Sequence, residues 1–559
     1  MLLIQAADIN YAHGGHDVFA NATFEIRQGD RLALIGANGA GKSTLFNLMA
    51  RRLEPDSGVV THRGGLTIGH LRQDPDLDPE QTVRSVIALA VGEVAALEEH
   101  LHDLEERLGH SLDDDEMTAV MDDYASTLAR LERPADATDA ARGTEMLAGL
   151  RLSAARWDSP IGNLSGGEKK LLALAKLLVE QPDVLLLDEP DNHLDLEAKA
   201  WLEEIIRRYQ GAVALITHDR YLIDRVANQI FELVDGSIHT YPGNYSQFVE
   251  ERQRRLERQA QLRDLQLREF KKLKSSAEQL TQWARQNPKF APRAENQRRK
   301  LEEERGRLAQ TPVPVVNRRQ IEVEFEAERG SSLVFEARGL AKSYGTRRVL
   351  RPFDLSIRQR EVVGLVGANG SGKTTLFRMI LGQEEPTAGT LRIGPACVVG
   401  YYAQEHETLD PTATPLHLVR SLKPLTEQQA ISFLGTLLLD RDDALNQIGN
   451  LSGGERARLQ IGALILGGAN FLLLDEPTNN LDIGSIEVLE AALLDFPGSI
   501  LTISHDRFFL DKLCTRTIVL DDGVVRDFPG GFSAYQEHPE LGVTLTSKSS
   551  AGSGLPSRR

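Results

Sequence analysis

The sequence predicts an α/β fold built twice over along one chain of 559 residues. Three observations predict it. First, the apolar run Leu32-Ala33-Leu34-Ile35 leads into Gly36-Ala37-Asn38-Gly39-Ala40-Gly41-Lys42-Ser43 and then into the helical pattern Thr44-Leu45-Phe46-Asn47-Leu48-Met49. Strand, Gly-rich turn, helix is the context in which backbone N–H groups curl around phosphates, with the positive end of the helix behind them. Second, the pattern recurs: Val363-Gly364-Leu365-Val366 precedes Gly367-Ala368-Asn369-Gly370-Ser371-Gly372-Lys373-Thr374, with Thr375 opening the helix. Third, the landmarks that follow each loop keep the same order.

Composition bounds the answer. The net charge is −17, so a polyanionic partner must be met by a local basic patch. Two cysteines, Cys397 and Cys514, are too few for a disulfide framework, a four-cysteine zinc site or an iron–sulfur cluster. Residues 1–8 read as a first strand rather than a signal peptide, because no basic segment opens them and Gln5 and Asp8 interrupt the apolar run. No apolar stretch approaches the roughly 20 residues of a membrane span, and a cytoplasmic setting is expected.

Taken in order, the halves match landmark by landmark. Gln73 follows Gly36 by 37 residues, and Gln404 follows Gly367 by the same 37. Leu-Ser-Gly-Gly-Glu stands at 164–168 and again at 451–455. Leu185-Leu186-Leu187 ends in Asp188-Glu189, and Leu472-Leu473-Leu474 ends in Asp475-Glu476. His218 and His505 each lie 29 residues beyond the respective glutamate.

One spacing differs. From Gln73 to Leu164 is 91 residues, against 47 from Gln404 to Leu451. The excess falls at about 84–135, where Leu97, Leu101, Leu104 and Leu108 recur at helical spacing. Either a core face or an inserted helical hairpin, with a turn near 109–115, accounts for that stripe. The unequal spacing favours the insertion. Between the halves, residues 250–319 carry 19 Lys and Arg against 10 Asp and Glu, near +9, which leaves about −26 for the remainder. Phe270, Leu273, Ala277 and Leu280, then Ala294, Leu301 and Leu308, have helical spacing, and Asn287-Pro288 and Ala291-Pro292 mark a turn. Two antiparallel helices would place Trp283, Arg285, Lys289, Arg293, Arg298, Arg299 and Lys300 near one tip. Basic groups beside an aromatic suit an RNA backbone with exposed bases, although a charge run also suits a merely solvated helix. The second α/β unit is expected over 330–538, and 539–559, rich in Ser and Gly, reads as a flexible tail.

The order phosphate loop, Gln, Leu-Ser-Gly-Gly, Asp-Glu, Leu-Asp and His resembles the ATP-binding cassette ATPases over nearly the whole chain. The resemblance implies two tandem P-loop cassettes joined by a helical-hairpin linker, with ATP and Mg²⁺ as cofactors. Gly36, Asn38, Gly39, Gly41, Lys42 and Thr44, with Gly367, Asn369, Gly370, Gly372, Lys373 and Thr375, would cradle phosphates. Ser43, Gln73 and Asp188 would hold one Mg²⁺, and Thr374, Gln404 and Asp475 the other. Glu189 and Glu476 are placed to polarise the attacking water as general bases, with His218 and His505 orienting them. Tyr11 and Tyr344 look like platforms for adenine, or plain core residues. In this family two cassettes close head to tail. Ser452, Gly453 and Gly454 would then complete the first site, and Ser165, Gly166 and Gly167 the second. One departure stands out: Asp191 occupies the position of Thr478, where the family usually has Thr.

Two cassettes without a membrane span, an insertion and a basic linker together resemble the ABC-F family of ribosome-associated ATPases. That resemblance implies binding at the ribosomal tRNA exit site in the ATP-closed state. The linker would reach the P-site tRNA, the insertion would act as an arm contacting the ribosome, and hydrolysis would bring release. Cassettes paired within one chain imply a monomer. The short C-terminus is more similar to the translational throttle group. Ribosome protection against antibiotics, or service as the ATPase subunit of a transporter with separate membrane subunits, are the alternatives.

Overall fold

In the computed structural model the described residues are 1–72, 75, 77–87, 156–192, 194, 196–310, 333–368, 370–403, 409–479, 481–537 and 542–545, with scattered positions between 101 and 128. Most of the expected insertion therefore lies outside the described residues, as do Gln73, Asn369 and Gln404. The chain divides into two compact units: residues 1–240 with 321–559, holding both halves of the duplication, and residues 241–320.

Each half pairs a small antiparallel sheet with a larger one. In the first, β1 (Leu2–His13) lies between β2 (His16–Arg27) and β4 (Ser57–His62). The larger sheet runs β5 (Ile68–Leu71), β6 (Val184–Asp188), β7 (Ala212–Ile216), β3 (Arg31–Gly36), β8 (Gln229–Val234), β9 (Ser237–Pro242), and β5 through β8 are parallel in that order. Strands covered on both faces read as unbroken apolar runs rather than alternations, which is why Leu32–Ile35 and Leu185–Leu187 are buried throughout. In the second half, β10 (Leu333–Tyr344) is flanked by β11 (Arg347–Arg358) and β13 (Ala388–Ile393). The larger sheet runs β14 (Val399–Tyr402), β15 (Phe471–Asp475), β16 (Ser499–Ile503), β12 (Val362–Gly367), β17 (Arg516–Asp521), β18 (Val524–Pro529), β19 (Val543–Leu545).

The last strand corrects the expected tail. Val543–Leu545 pairs antiparallel with β18, Asp527 opposite Val543 and Val525 opposite Leu545. An edge strand offers unpaired N–H and C=O groups. Three residues of the Ser/Gly-rich stretch fill that edge, and Leu545 packs against the core.

Strand order positions the chemistry. β3 and β12 each lie between two parallel neighbours, and ligands of such sheets bind beyond the carboxyl ends of the strands. Register brings Asp188 opposite Ile216, with Leu34 on the other side of Ile216. The phosphate loop, the Asp-Glu pair and the segment leading to His218 therefore emerge side by side.

In the unit 241–320 the described residues form a helical hairpin. Asn244 caps the helix Tyr245–Gln286, accepting from the Gln247 amide while the Gln247 side chain accepts from its own. This reciprocal cap starts the helix before the basic composition sets in at 250. Asn287 accepts from the Lys289 N–H, Pro288–Phe290 make one short turn, and a second helix runs Ala291–Gln310. Ala277 and Ala294 are the most buried stripe residues, small enough to let the two backbones approach. At the turn Trp283 lies 5.8 Å from Phe290, ring centre to ring centre, and keeps 48% of its surface exposed.

Candidate active site

A cavity of about 1010 Å³ lies at the carboxyl ends of the two large sheets and is lined by both phosphate loops together. Lys42, Ser43, Thr44, Asp188, Glu189 and His218 face it from the first half, and Lys373, Thr374, Thr375, Asp475, Glu476 and His505 from the second. Each loop is shaped by a glycine that nothing else replaces. Gly41 has φ 98°, and a Cβ there would sit 2.4 Å from Val18 Cγ1; Gly372 has φ 107°, and its Cβ would meet Val349 Cγ1 at 2.8 Å. Left-handed backbone and close approach both select glycine.

Lys42 Nζ donates to the Gly36 and Ala37 carbonyls at 2.8 and 2.9 Å, and Lys373 Nζ to those of Gly367 and Ala368 at 2.6 and 3.1 Å. The ammonium groups are thus held over the loop mouths. Ser43 Oγ donates to Asp188 Oδ2 at 2.9 Å, while Asp475 Oδ2 accepts from the Tyr401 hydroxyl at 3.5 Å. Among the described residues no group of three His, Cys, Asp or Glu side chains could hold a metal. Mg²⁺ takes one or two protein ligands and completes its shell with water and phosphate oxygens. The Ser43–Asp188 pair fits that requirement for a metal arriving with a nucleotide.

Glu189 and Glu476 have φ 50° and 48°, left-handed values uncommon outside glycine. The strain, about 1–3 kcal/mol for such a residue, is held by hydrogen bonds from Glu189 N to Ile216 O (2.8 Å) and from Glu476 N to Ile503 O (2.9 Å). His218 Nε2 lies 3.9 Å from Glu189 Oε1, and His505 Nε2 lies 3.4 Å from Glu476 Oε1. Glu476 Oε2 also accepts from the His505 N–H at 3.1 Å, whereas Glu189 Oε2 accepts from Asn192 Nδ2 at 2.6 Å. Burial pushes Glu476 up to about 7 against the opposing hydrogen bond from His505. Burial also raises Glu189, with Asp188 adding to it.

Both imidazoles are neutral. Burial, with Lys42 beside it, takes His218 down to about 4; burial with Lys373 and Lys199 takes His505 to about 3. The Nδ1 atoms of both rings are buried with no hydrogen-bond partner among the described residues. An unfolded imidazole accepts its proton near pH 6.5. The neutral folded rings therefore stabilise the protein fully above that pH, and the contribution falls away as pH drops through 6.5 toward the folded values. In nucleotide-free protein with chelator, melting temperature is expected to fall on acidification, and to fall less in His218→Asn/His505→Asn. The difference between the two curves is on the order of 3 kcal/mol per ring. Superimposable pH profiles would contradict neutral buried imidazoles.

Some of the other expected residues fall outside this cavity. Ser165 and Ser452 cap the helices Gly166–Glu180 and Gly453–Leu466 through reciprocal bonds with Glu168 and Glu455. This local reason accounts for the final Glu of Leu-Ser-Gly-Gly-Glu. Neither serine lines the cavity, among the described residues. Gly454 is packed so tightly that a Cβ would lie 2.1 Å from Ser485 Oγ. Asp482 Oδ1 accepts from Ser485 N at 2.7 Å, and Asp482 Oδ2 accepts from the Asn38 N–H of the first phosphate loop at 3.1 Å. The second half therefore reaches the first loop through Asp482, a residue whose only sequence signal is Leu481-Asp482 recurring as Leu194-Asp195. Tyr344 lines the cavity, its hydroxyl bonded to Glu384 and Lys342 Nζ 5.0 Å from its ring. Tyr11 lies opposite Phe19 in the β1–β2 ladder, partly buried against the core, and does not line the cavity.

Five charged residues missed at the level of sequence join the halves. Arg220 bonds Glu490 and meets Asp506 at 3.2 Å; Arg507 meets Glu203 at 2.8 Å. Arg220 and Arg507 are equivalent under the repeat, as are Glu203 and Glu490, so the contact is reciprocal in the manner of a two-fold interface. Arg507 also stacks over Tyr221 at 4.4 Å.

The chain is similar to known proteins. A family model described as ABC transporter matches residues 19–192 and 350–479, and a second model of that description matches 231–321. The energy-dependent translational throttle protein EttA of Haemophilus influenzae is 38% identical over 520 residues, covering 91% of this chain and 90% of that protein. The protein of the same name from Escherichia coli K12 is 38% identical over 532 residues (93% and 92%), and that from Mycobacterium tuberculosis 34% over 551 (96% and 95%). Among solved structures, the archaeal ribosome recycling factor aABCE1, in complex with stalk protein aP1, superposes with TM-score 0.62 at 20% identity, over 97% of this chain and 96% of that one. Its low identity speaks to the fold alone. No helix among the described residues is long and apolar enough to cross a membrane.

Proposed function

The chain belongs to the ABC-F family of tandem-cassette ATPases, and from that premise we propose that it is a translation factor that binds the ribosome with ATP held between its halves and leaves on hydrolysis. The observation that carries the reading is similarity over nine-tenths of both chains, linker included, to proteins named for throttling translation. Its place is the tRNA exit site, with the hairpin 245–310 directed to tRNA, as the family resemblance implies.

Each residue then has a task. Lys42 and Lys373 turn from the loop carbonyls to the terminal phosphates. Ser43 and Asp188, with Gln73, and Thr374 and Asp475, with Gln404, hold Mg²⁺. When bound, Mg²⁺ supplies positive charge where negative charge spreads during phosphoryl transfer. Glu189 and Glu476 take the proton of the attacking water, and a carboxyl near 7 is poised for that exchange at neutral pH. His218 and His505, neutral, orient the carboxylates. Ser165-Gly166-Gly167 and Ser452-Gly453-Gly454 present helix N-termini to the phosphates of the opposite half.

The hairpin supports an RNA partner. From 285 to 300 it carries Arg285, Lys289, Arg293, Arg298, Arg299 and Lys300 against Glu295 alone, beside the exposed Trp283. Reversing Arg293, Arg298 and Arg299 to Glu is expected to weaken ribosome pelleting with a non-hydrolysable ATP analogue by about 10²-fold or more. It should also flatten the log–log salt slope by about 2, since each lost phosphate contact contributes about 0.7–0.9. ATPase activity of the isolated protein stays as it was. Unchanged affinity and slope across the salt series would reduce the hairpin to a solvated spacer.

A further inference from the structure

The repeat is broken at two neighbouring positions, and the breaks compensate one another. Asp191 stands where the second half has Thr478, and Lys199 stands where it has Ile486; all four line the shared cavity. A buried carboxylate and a buried ammonium have replaced a hydroxyl and an alkyl group.

Their contacts run from one half into the other. Asp191 Oδ1 accepts from the Thr217 hydroxyl, and Thr217 Oγ1 accepts from the Asp219 N–H at 3.0 Å. Asp219 Oδ2 pairs with Lys199 Nζ at 2.7 Å, and Lys199 Nζ lies 3.4 Å from the carbonyl oxygen of His505 in the second half. Among the described residues the second half repeats only the inner bond, Ser504 Oγ accepting from the Asp506 N–H at 3.0 Å; Asp506, the counterpart of Asp219, meets Arg220 from the other half, while Arg507 goes to Glu203. The otherwise reciprocal interface is lopsided here, with an extra cation from the first half placed against the histidine peptide of the second.

That residue matters because His505 holds Glu476 twice, through its N–H at 3.1 Å and its ring at 3.4 Å. We propose that Lys199, balanced by Asp191 and Asp219, is a positioning residue for the second half's hydrolytic site, so that the two ATP sites of this chain are unequal by construction. Burial alone would lower the Lys199 ammonium, but Asp219 and Asp191 outweigh it and keep it charged. The ion–dipole contact fixes the carbonyl end of His505, the residue whose own N–H and ring, on the other side of its Cα, set the Glu476 carboxylate. The inference rests on ATP hydrolysis and not on the ribosome reading.

The test uses the full chain with one site disabled at a time. In a Glu189→Gln background, turnover reports the second half. There Lys199→Ile is expected to lower kcat about tenfold, the size of one lost charged contact, with KM within twofold, and Lys199→Arg is expected to recover most of the rate. In a Glu476→Gln background the same Lys199→Ile change stays within about twofold. Asp191→Thr/Lys199→Ile recreates the second half's own pair, keeps the charge balance and so folds; it should show the same one-sided loss. A readout without nucleotide accompanies these: each single change lowers the melting temperature, and the double change lowers it by less than their sum. Equal loss at both sites, an unchanged kcat in the double variant, or additive melting shifts would each overturn the proposal and leave a packing substitution.

Discussion

Glu189→Gln with Glu476→Gln is expected to bind ATP and fail to cleave it, lowering turnover by about 10²–10⁴. The amides keep the shape of the side chains, and each can still hydrogen-bond, as Glu189 does with Asn192 and Glu476 with the His505 N–H. What is lost is the proton acceptor, including the Glu476 carboxyl that burial holds near 7. In the proposed cycle, hydrolysis separates halves held together through bound nucleotide. Blocking it shifts the population toward the closed form. For a translation factor the double variant should accumulate on ribosomes with ATP and halt peptide synthesis in a purified translation mix. Normal peptide yield at saturating protein would defeat the ribosome reading while leaving the ATPase assignment untouched.

Arg220→Ala is expected to destabilise the paired halves by about 3–5 kcal/mol, the cost of removing one partner of a buried ion pair. Arg220, Glu490 and Asp506 are all buried, and the guanidinium also lies 5.5 Å from the Phe508 ring. Its loss removes the ion-pair partner of Asp506 and leaves Glu490 with Lys512, at 2.7 Å, as a remaining cation. Arg507→Ala removes the nearer partner of Glu203, leaving Arg225 at 3.8 Å, and the stacking on Tyr221, and should cost about as much. Denaturant unfolding with a double-mutant cycle against Glu490→Gln measures the coupling. A loss below about 0.5 kcal/mol would mark the pair as solvent-screened like an ordinary surface bridge.

Much of this protein follows from short-range chemistry. A phosphate loop needs its glycines, its lysine and the strand before it within a dozen residues, so Lys42 and Lys373 are recognisable without a fold. The Asp-Glu pairs end apolar runs, and the Ser and Glu of Leu-Ser-Gly-Gly-Glu bond each other across three residues. Duplication made every such motif visible twice. The helical hairpin was legible for the same reason, since Ala277 and Ala294 mark its seam by spacing and Asn287-Pro288 its turn.

Other features have no local signal. Nothing in Glu189 or Glu476 as residue types announces a left-handed backbone, which the sheet imposes through the Ile216 and Ile503 carbonyls. Tyr11 and Tyr344 read alike, and only packing separates one on the cavity from one partly buried in a ladder. The residues that join the halves are furthest from any motif. Arg220 finds Glu490, Asn38 finds Asp482 and Lys199 finds the His505 carbonyl across hundreds of positions. The sequence alone establishes two cassettes and the chemistry of each loop, because those depend on neighbours along the chain. Which charge of one half meets which group of the other depends on how two folded sheets face each other, and residue spacing carries no information about that.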